Sequence, residues 1–192
     1  WDGYEEIPSW IMQGYGTMAM EAGEQLKEYG CERPTHIFVQ AGVGSLAGAV
    51  VGYYSNLYAD NPPTFVVVEA EAAACLYKGA AAGDGDIRIV DGDMETIMAG
   101  LACGEPNTIS WDILKNHVKV FIAAPDWVAA NGMRMLGAPI KGDAPVTSGE
   151  SGAAPFGALA AVMTMDEYKD LRNDIGLDAS SKVLLFSTEG DP

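Results

Sequence analysis

A chain of 192 residues, 48% of them hydrophobic, is long enough to bury a core as one domain and too apolar for a disordered chain. Its formal net charge of −16 argues against nucleic acid and anionic membrane surfaces, both of which need clustered Lys and Arg, and fits an acidic solvent-facing surface. No apolar run approaches the ~20 residues that span a bilayer.

The first predicted element is a helix beginning at Ile7-Pro8-Ser9-Trp10, where Pro8 suits a first turn. Ile11, Met12, Tyr15, Met18, Ala19, Ala22 and Leu26 recur at helical spacing, and Gly30 ends the helix. Residues 35–40 read as a strand, and their continuous apolar character predicts burial on both faces. A helix over about 45–58 stops before Asn61-Pro62-Pro63, and a second buried strand covers 64–69. Residues 70–81 read as a short helix with a small-residue face, 83–86 as a turn, and 87–90 as a brief strand. Residues 94–103 read as a helix closed by Gly104-Glu105-Pro106-Asn107.

Ser110 is the predicted N-cap of a helix over 111–116, and 118–123 is a third strand. Asp126 is the predicted cap of a helix over 127–136, followed by a loop at 139–145. The small-residue turn Ser148-Gly149-Glu150-Ser151-Gly152 opens a helix over 153–163. Asp166 caps another, which Gly176 ends, and 182–187 is a last buried strand. Strands alternate with helices. The predicted fold class is therefore α/β, a mostly parallel sheet with helices on both faces, in one domain over 1–192. The chain starts at Trp1 rather than Met, and we read it as a fragment of a longer protein.

Cys31, Cys75 and Cys103 are scattered, odd in number and form no CxxC pair. They are expected to be reduced, mostly buried thiols of a cytoplasmic protein, not a zinc site or a disulfide framework. His36 and His117 lie far apart and read as structural, so no metal site is expected.

The most informative stretch is 36–48, an apolar strand that runs into Gly42-Val43-Gly44-Ser45 and opens an apolar helix. Such a turn aims free amides at the positive end of a helix dipole, which suits a phosphate. Glycine is what lets the backbone take unusual dihedrals and approach a ligand closely. Three readings stand at this point. Gly42, Gly44 and Ala47 fit the dinucleotide fingerprint GxGxx(G/A), and Glu69 ends the next strand where a ribose-binding acid would lie, giving an NAD-binding Rossmann-type domain. A tight strand-to-helix turn with no ligand, in a non-catalytic folded fragment, is the second. A single phosphate on the turn amides, as in a pyridoxal-phosphate enzyme, is the third.

Further segments bear on the third. Trp10-Ile11-Met12-Gln13-Gly14-Tyr15, Gln40-Ala41-Gly42-Val43-Gly44, Met98-Ala99-Gly100-Leu101-Ala102-Cys103-Gly104-Glu105-Pro106-Asn107, Ser148-Gly149-Glu150-Ser151-Gly152-Ala153 and Ser187-Thr188-Glu189-Gly190-Asp191 occur in that order over nearly the whole chain. They resemble the diaminopropionate ammonia-lyase family, a fold type II pyridoxal-phosphate family similar to threonine dehydratase. The resemblance implies the large, C-terminal domain of that fold, pyridoxal 5'-phosphate as cofactor, a small amino acid as substrate, and a homodimeric parent. It implies α,β-elimination of 2,3-diaminopropionate to pyruvate and ammonia. By resemblance, Gly42, Val43, Gly44, Ser45 and Leu46 form the phosphate cradle, and Ser187 or Thr188 faces the pyridine nitrogen. Glu150 lies at the cofactor's edge by the same resemblance, although an acid at a helix start also stabilises that terminus by itself.

The chain departs from the family at its catalytic groups. Lys27, Lys78, Lys115, Lys119, Lys141, Lys169 and Lys182 all lie outside the family's motif for the lysine that anchors the cofactor covalently. The family's acid/base aspartate precedes the tryptophan matched by Trp1, and Asp2 is only a neighbour of that position. The chain therefore resembles the C-terminal half of the enzyme, without the lysine-bearing N-terminal portion, and is expected to be inactive alone.

Overall fold

The sheet is built outward from two strands that solvent barely reaches. In the computed structural model, which describes residues 5–190, all five residues of β1 (His36–Gln40) and six of the seven in β2 (Thr64–Ala70) are buried. They pair in parallel from His36 against Thr64 to Gln40 against Val68. β3 (Val118–Ala124) adds to the far side of β2, and β4 (Val183–Leu185) to the far side of β1. The order is β3-β2-β1-β4, with all neighbours parallel.

Alternate side chains of the inner strands sort into two cores, as a pleated strand requires. Ile37, Val39, Phe65 and Val67 meet α1 (Glu6–Glu28), α2 (Ser45–Leu57), α3 (Cys75–Ala82) and α4 (Thr108–His117) on one face. Phe38, Val66 and Val68 meet α5 (Asp126–Gly137), α6 (Glu150–Thr164) and α7 (Lys169–Asp174) on the other. Each large apolar side chain withdrawn from water contributes roughly 1.5–3 kcal/mol. The fold is α/β with helices on both faces. Among the described residues, no helix is long and apolar enough to cross a membrane.

Several local expectations fail for tertiary reasons. Residues 87–90 form no strand, and 94–103 hold only a 3-10 turn at Ala99–Leu101. Groups of this segment bond outward instead. Ile97 N and the Thr96 hydroxyl donate to the Asp126 carboxylate, and Gly100 N donates to Ser151 Oγ at 3.2 Å. Asp126 is therefore a tether inside the first turn of α5, and Pro125 is the N-cap. Ser110 is likewise not a cap. Asn107 takes that place, its side chain accepting from Ile109 N and Ser110 N, while Ser110 is buried within α4.

α6 begins at Glu150, ahead of the predicted start at 153. The 166 helix opens as a 3-10 turn, Asp166–Tyr168, and Gly176 at φ +65° follows α7. The last strand is shorter than predicted and half-buried, because it lies at an edge of the described sheet.

Glu69 explains why the predicted helix at 70–81 splits into a 3-10 turn, Glu71–Ala73, and α3. Its carboxylate is fully buried and accepts from Leu76 N at 2.9 Å and Tyr77 N at 2.6 Å, capping α3 from the end of β2. Burial pushes this carboxyl from 4.5 up to about 7, against the pull of those amides. Burial and the nearby Glu69 push the Cys75 thiol up to about 12.

Two predictions follow from these contacts. Between pH 4.5 and about 7 folded Glu69 holds a proton that the unfolded chain has released, so its contribution to stability falls as pH rises. The loss is about 3 kcal/mol over that window. Urea unfolding of wild type and Glu69→Gln from pH 4 to 8 should give curves that diverge there, and curves that run parallel contradict the assignment. The second concerns the α5–α6 interface, where a Cβ on Gly157 would overlap the backbone carbonyl of Val128. Gly157→Ala should cost about 1–3 kcal/mol. Gly14→Ala, in open space on α1, should be neutral or stabilising by up to about 1 kcal/mol in the same urea titration.

Candidate functional site

The strand order reverses once. The chain moves outward from β1 to β2 to β3, then returns to place β4 on the other side of β1. Segments leaving the carboxyl ends of β1 and β4 diverge there, and such a point is where open parallel sheets bind ligands. A cleft of about 320 Å³ lies at this place, lined by Gln40, the turn 42–46, residues of the 100–103 segment, Ser151, Thr188 and Glu189.

The turn is shaped for close approach. Gly44 has φ +97°, and a Cβ there would press on Leu114 and Ser110 at 3.3 Å. A Cβ on Gly42 would come within 3.2 Å of the Gly100 carbonyl. Gly44 is also the N-cap of α2 and supplies no side chain to its first amides. Those amides at the positive helix end suit an anion.

Asn107 holds the turn in place. Its backbone N donates to Val43 O at 2.8 Å, its Nδ2 donates to Ser45 Oγ at 2.9 Å, and its Oδ1 caps α4. Ser45 accepts from Asn107, so its own hydrogen is left to donate to an anion on the turn.

On the other wall the two neighbouring hydroxyls separate. Ser187 Oγ pairs with Ser148 Oγ at 2.8 Å, and Ser187 does not line the cleft; Thr188 does. Gln40 Nε2 donates to Phe186 O at 2.8 Å and to Thr188 Oγ1 at 3.0 Å, tying the segment after β4 to the end of β1. Glu189 clasps α6, its carboxylate accepting from Ser151 N at 2.6 Å and Gly152 N at 3.3 Å while its carbonyl takes Gly149 N. Glu150 is the first residue of α6, half-buried and outside the lining of the cleft.

All five turn residues and Thr188 thus come together, and Ser187 and Glu150 stand aside. Gln40, Asn107, Ser151 and Glu189 are contributors that the sequence reading did not assign. The available signal was a polar residue closing an otherwise apolar buried strand, directly before the glycine turn. Glu69 faces α3, not the cleft, so the ribose-binding acid required by the dinucleotide reading is absent from that position. None of the seven lysines lines the cleft. Cys75 is buried, whereas Cys31 and Cys103 are half-buried, so the expectation of mostly buried thiols holds for one of three. His36 is structural, its ring bridging Thr35 Oγ1 and the Ile175 carbonyl at 2.8 Å each.

Known proteins match this arrangement closely. The family described as "Pyridoxal-phosphate dependent enzyme" matches residues 2–184. Diaminopropionate ammonia-lyase of Salmonella typhimurium is 55% identical over 192 residues, covering 100% of this chain and 48% of the relative. The crystal structure of Escherichia coli diaminopropionate ammonia lyase with an aminoacrylate-PLP azomethine reaction intermediate superposes with a TM-score of 0.90 at 47% identity, covering 100% of this chain and 48% of that one. The same enzyme in complex with D-serine gives 0.89 at 46% identity, over 100% of this chain and 47% of the other. The chain spans about half the length of these relatives. It belongs to the pyridoxal-phosphate-dependent enzyme family, as a homologue of diaminopropionate ammonia-lyase.

Proposed function

We propose that this chain is the cofactor-holding half of a lyase that converts 2,3-diaminopropionate to pyruvate and ammonia by α,β-elimination. The observation that carries the reading is the uncapped, glycine-shaped start of α2 facing Thr188 across one cleft, in a chain 55% identical to a diaminopropionate ammonia-lyase.

The residues present fit pyridoxal phosphate. Gly42 and Gly44 let the turn pack closely and keep the first α2 amides free of a side-chain cap, the 42–46 turn offers those amides and the Ser45 hydroxyl to the phosphate, and Thr188 offers a neutral hydroxyl to the ring. When bound, the cofactor supplies an electron sink for the charge that develops at the substrate Cα. The chain's residues hold, orient and surround it. The lysine anchor and the base that takes the Cα proton fall to the portion of a full-length lyase outside this chain, consistent with a cleft that no lysine lines.

The purified 192-residue chain should release no pyruvate from 2,3-diaminopropionate in a coupled lactate dehydrogenase assay. Pyruvate release, or borohydride fixation of the cofactor to one of its lysines, overturns the division of labour. In the full-length lyase, Gly44→Asp should weaken pyridoxal-phosphate binding by about 100-fold, because a Cβ at φ +97° against Leu114 and Ser110 shifts the turn amides and adds a negative charge beside a phosphate dianion. The fold should survive, as read by circular dichroism. Unchanged affinity moves the phosphate elsewhere. Thr188→Val should lower elimination about 10-fold while most cofactor stays bound, and Ser187→Ala should change the rate less than twofold, since its hydroxyl is turned to Ser148.

A further inference from the structure

Gln40 is an expensive residue to bury. It is 2% exposed at the end of the central strand, and its Oε1 has no hydrogen-bond partner. An unpaired buried amide oxygen is destabilising, a cost that a leucine of similar size would avoid. The amide cannot escape by flipping, because the Phe186 carbonyl is an acceptor only and requires nitrogen opposite it. What Gln40 contributes lies in its two N–H groups, both directed to the segment after β4. The backbone ladder between β1 and β4 has ended by then, at Phe38 against Leu185.

The second donor fixes more than position. Thr188 Oγ1 accepts from Gln40, and its own hydrogen meets no acceptor among the described residues. Thr188 lines the cleft, so that hydrogen is available to an acceptor within it. An unprotonated pyridine nitrogen is such an acceptor; a protonated one would present a second hydrogen to a hydroxyl whose own proton is still unplaced. Glu189 also lines the cleft, and its Oε2 is occupied by the Ser151 and Gly152 amides.

We infer that Gln40 is a positioning residue that sets Thr188 as a hydrogen-bond donor to the cofactor ring and so keeps the ring nitrogen unprotonated. This rests on the lyase reading above.

The test uses the full-length lyase loaded with pyridoxal phosphate carrying ¹⁵N at the ring nitrogen, whose chemical shift reports protonation directly. Wild type should give the unprotonated shift at pH 7 to 8. Gln40→Leu should move the signal toward the protonated position and lower kcat about 10-fold with little change in KM. Thr188→Val, which leaves the core untouched, should move it in the same direction. Gln40→Leu in the Thr188→Val background should then add nothing, because the effect passes through the hydroxyl. A protonated wild-type nitrogen overturns the role of Gln40 and passes the ring contact to the Glu189 carboxylate. So does a Thr188→Val signal that stays at the wild-type position, or a Gln40→Leu shift of equal size with and without Thr188. A full-length protein that binds no pyridoxal phosphate instead overturns the lyase reading itself.

Discussion

β1 has β2 on one side, β4 on the other and a helical layer over each face. A strand enclosed on all four sides can meet a ligand only at its ends. The reversal of strand order at β1 selects the carboxyl end, because there the connections to α2 and from β4 lead away from each other. Cleft, glycine turn and Thr188 segment are consequences of that enclosure. The glycines are what the backbone needs to leave a buried strand and start a helix within a few residues, beneath α4 and beside the Gly100 carbonyl.

Past the last ladder bond, side-chain amides take over the work of the backbone. Gln40 ties the segment after β4 to β1, and Asn107 ties the α4 start to the glycine turn. Each also donates to a hydroxyl on the cleft wall, Thr188 or Ser45, leaving that hydroxyl's hydrogen for a ligand. Two helices begin at the cleft and are treated differently. Glu189 fills the start of α6 with the chain's own carboxylate, while α2 has no side-chain cap. Of the two helix starts, that of α2 is the one whose free amides suit an anion, since the other already holds a carboxylate of the chain's own.

The parts of this arrangement that were legible in the sequence are those governed by local periodicity. The inner strands announced themselves by unbroken apolar runs, and the glycine turn by its place between strand and helix. The segment around 96–100 was illegible because Thr96, Ile97 and Gly100 bond to α5 and α6, far away in sequence. Ser110 and Asn107 are both good capping residues, and only the position of α4 under α2 decides between them. Ser187 and Thr188 are adjacent hydroxyls after a strand. Their tertiary partners separate them, Ser187 bonding to Ser148 and Thr188 accepting from Gln40. Gln40 was hidden by its surroundings, since a single polar residue closing an apolar strand reads as its end.

Glu69 separates the two cofactor readings more sharply than the glycines do. Gly42, Gly44 and Ala47 satisfy a dinucleotide fingerprint because any tight strand-to-helix turn pressed against other backbone needs small residues at those places. Gly48, one position on, is equally confined, with a Cβ there only 3.0 Å from Ser110. The fingerprint therefore reports packing geometry, which several phosphate-binding folds share. A ribose diol demands a carboxylate aimed into the cleft. Here the carboxylate at the end of β2 is sealed beneath α3 with two amides on it, and burial holds it near neutrality. A carboxylate engaged in starting a helix cannot also read a sugar, so the fingerprint in the turn does not by itself carry a dinucleotide reading.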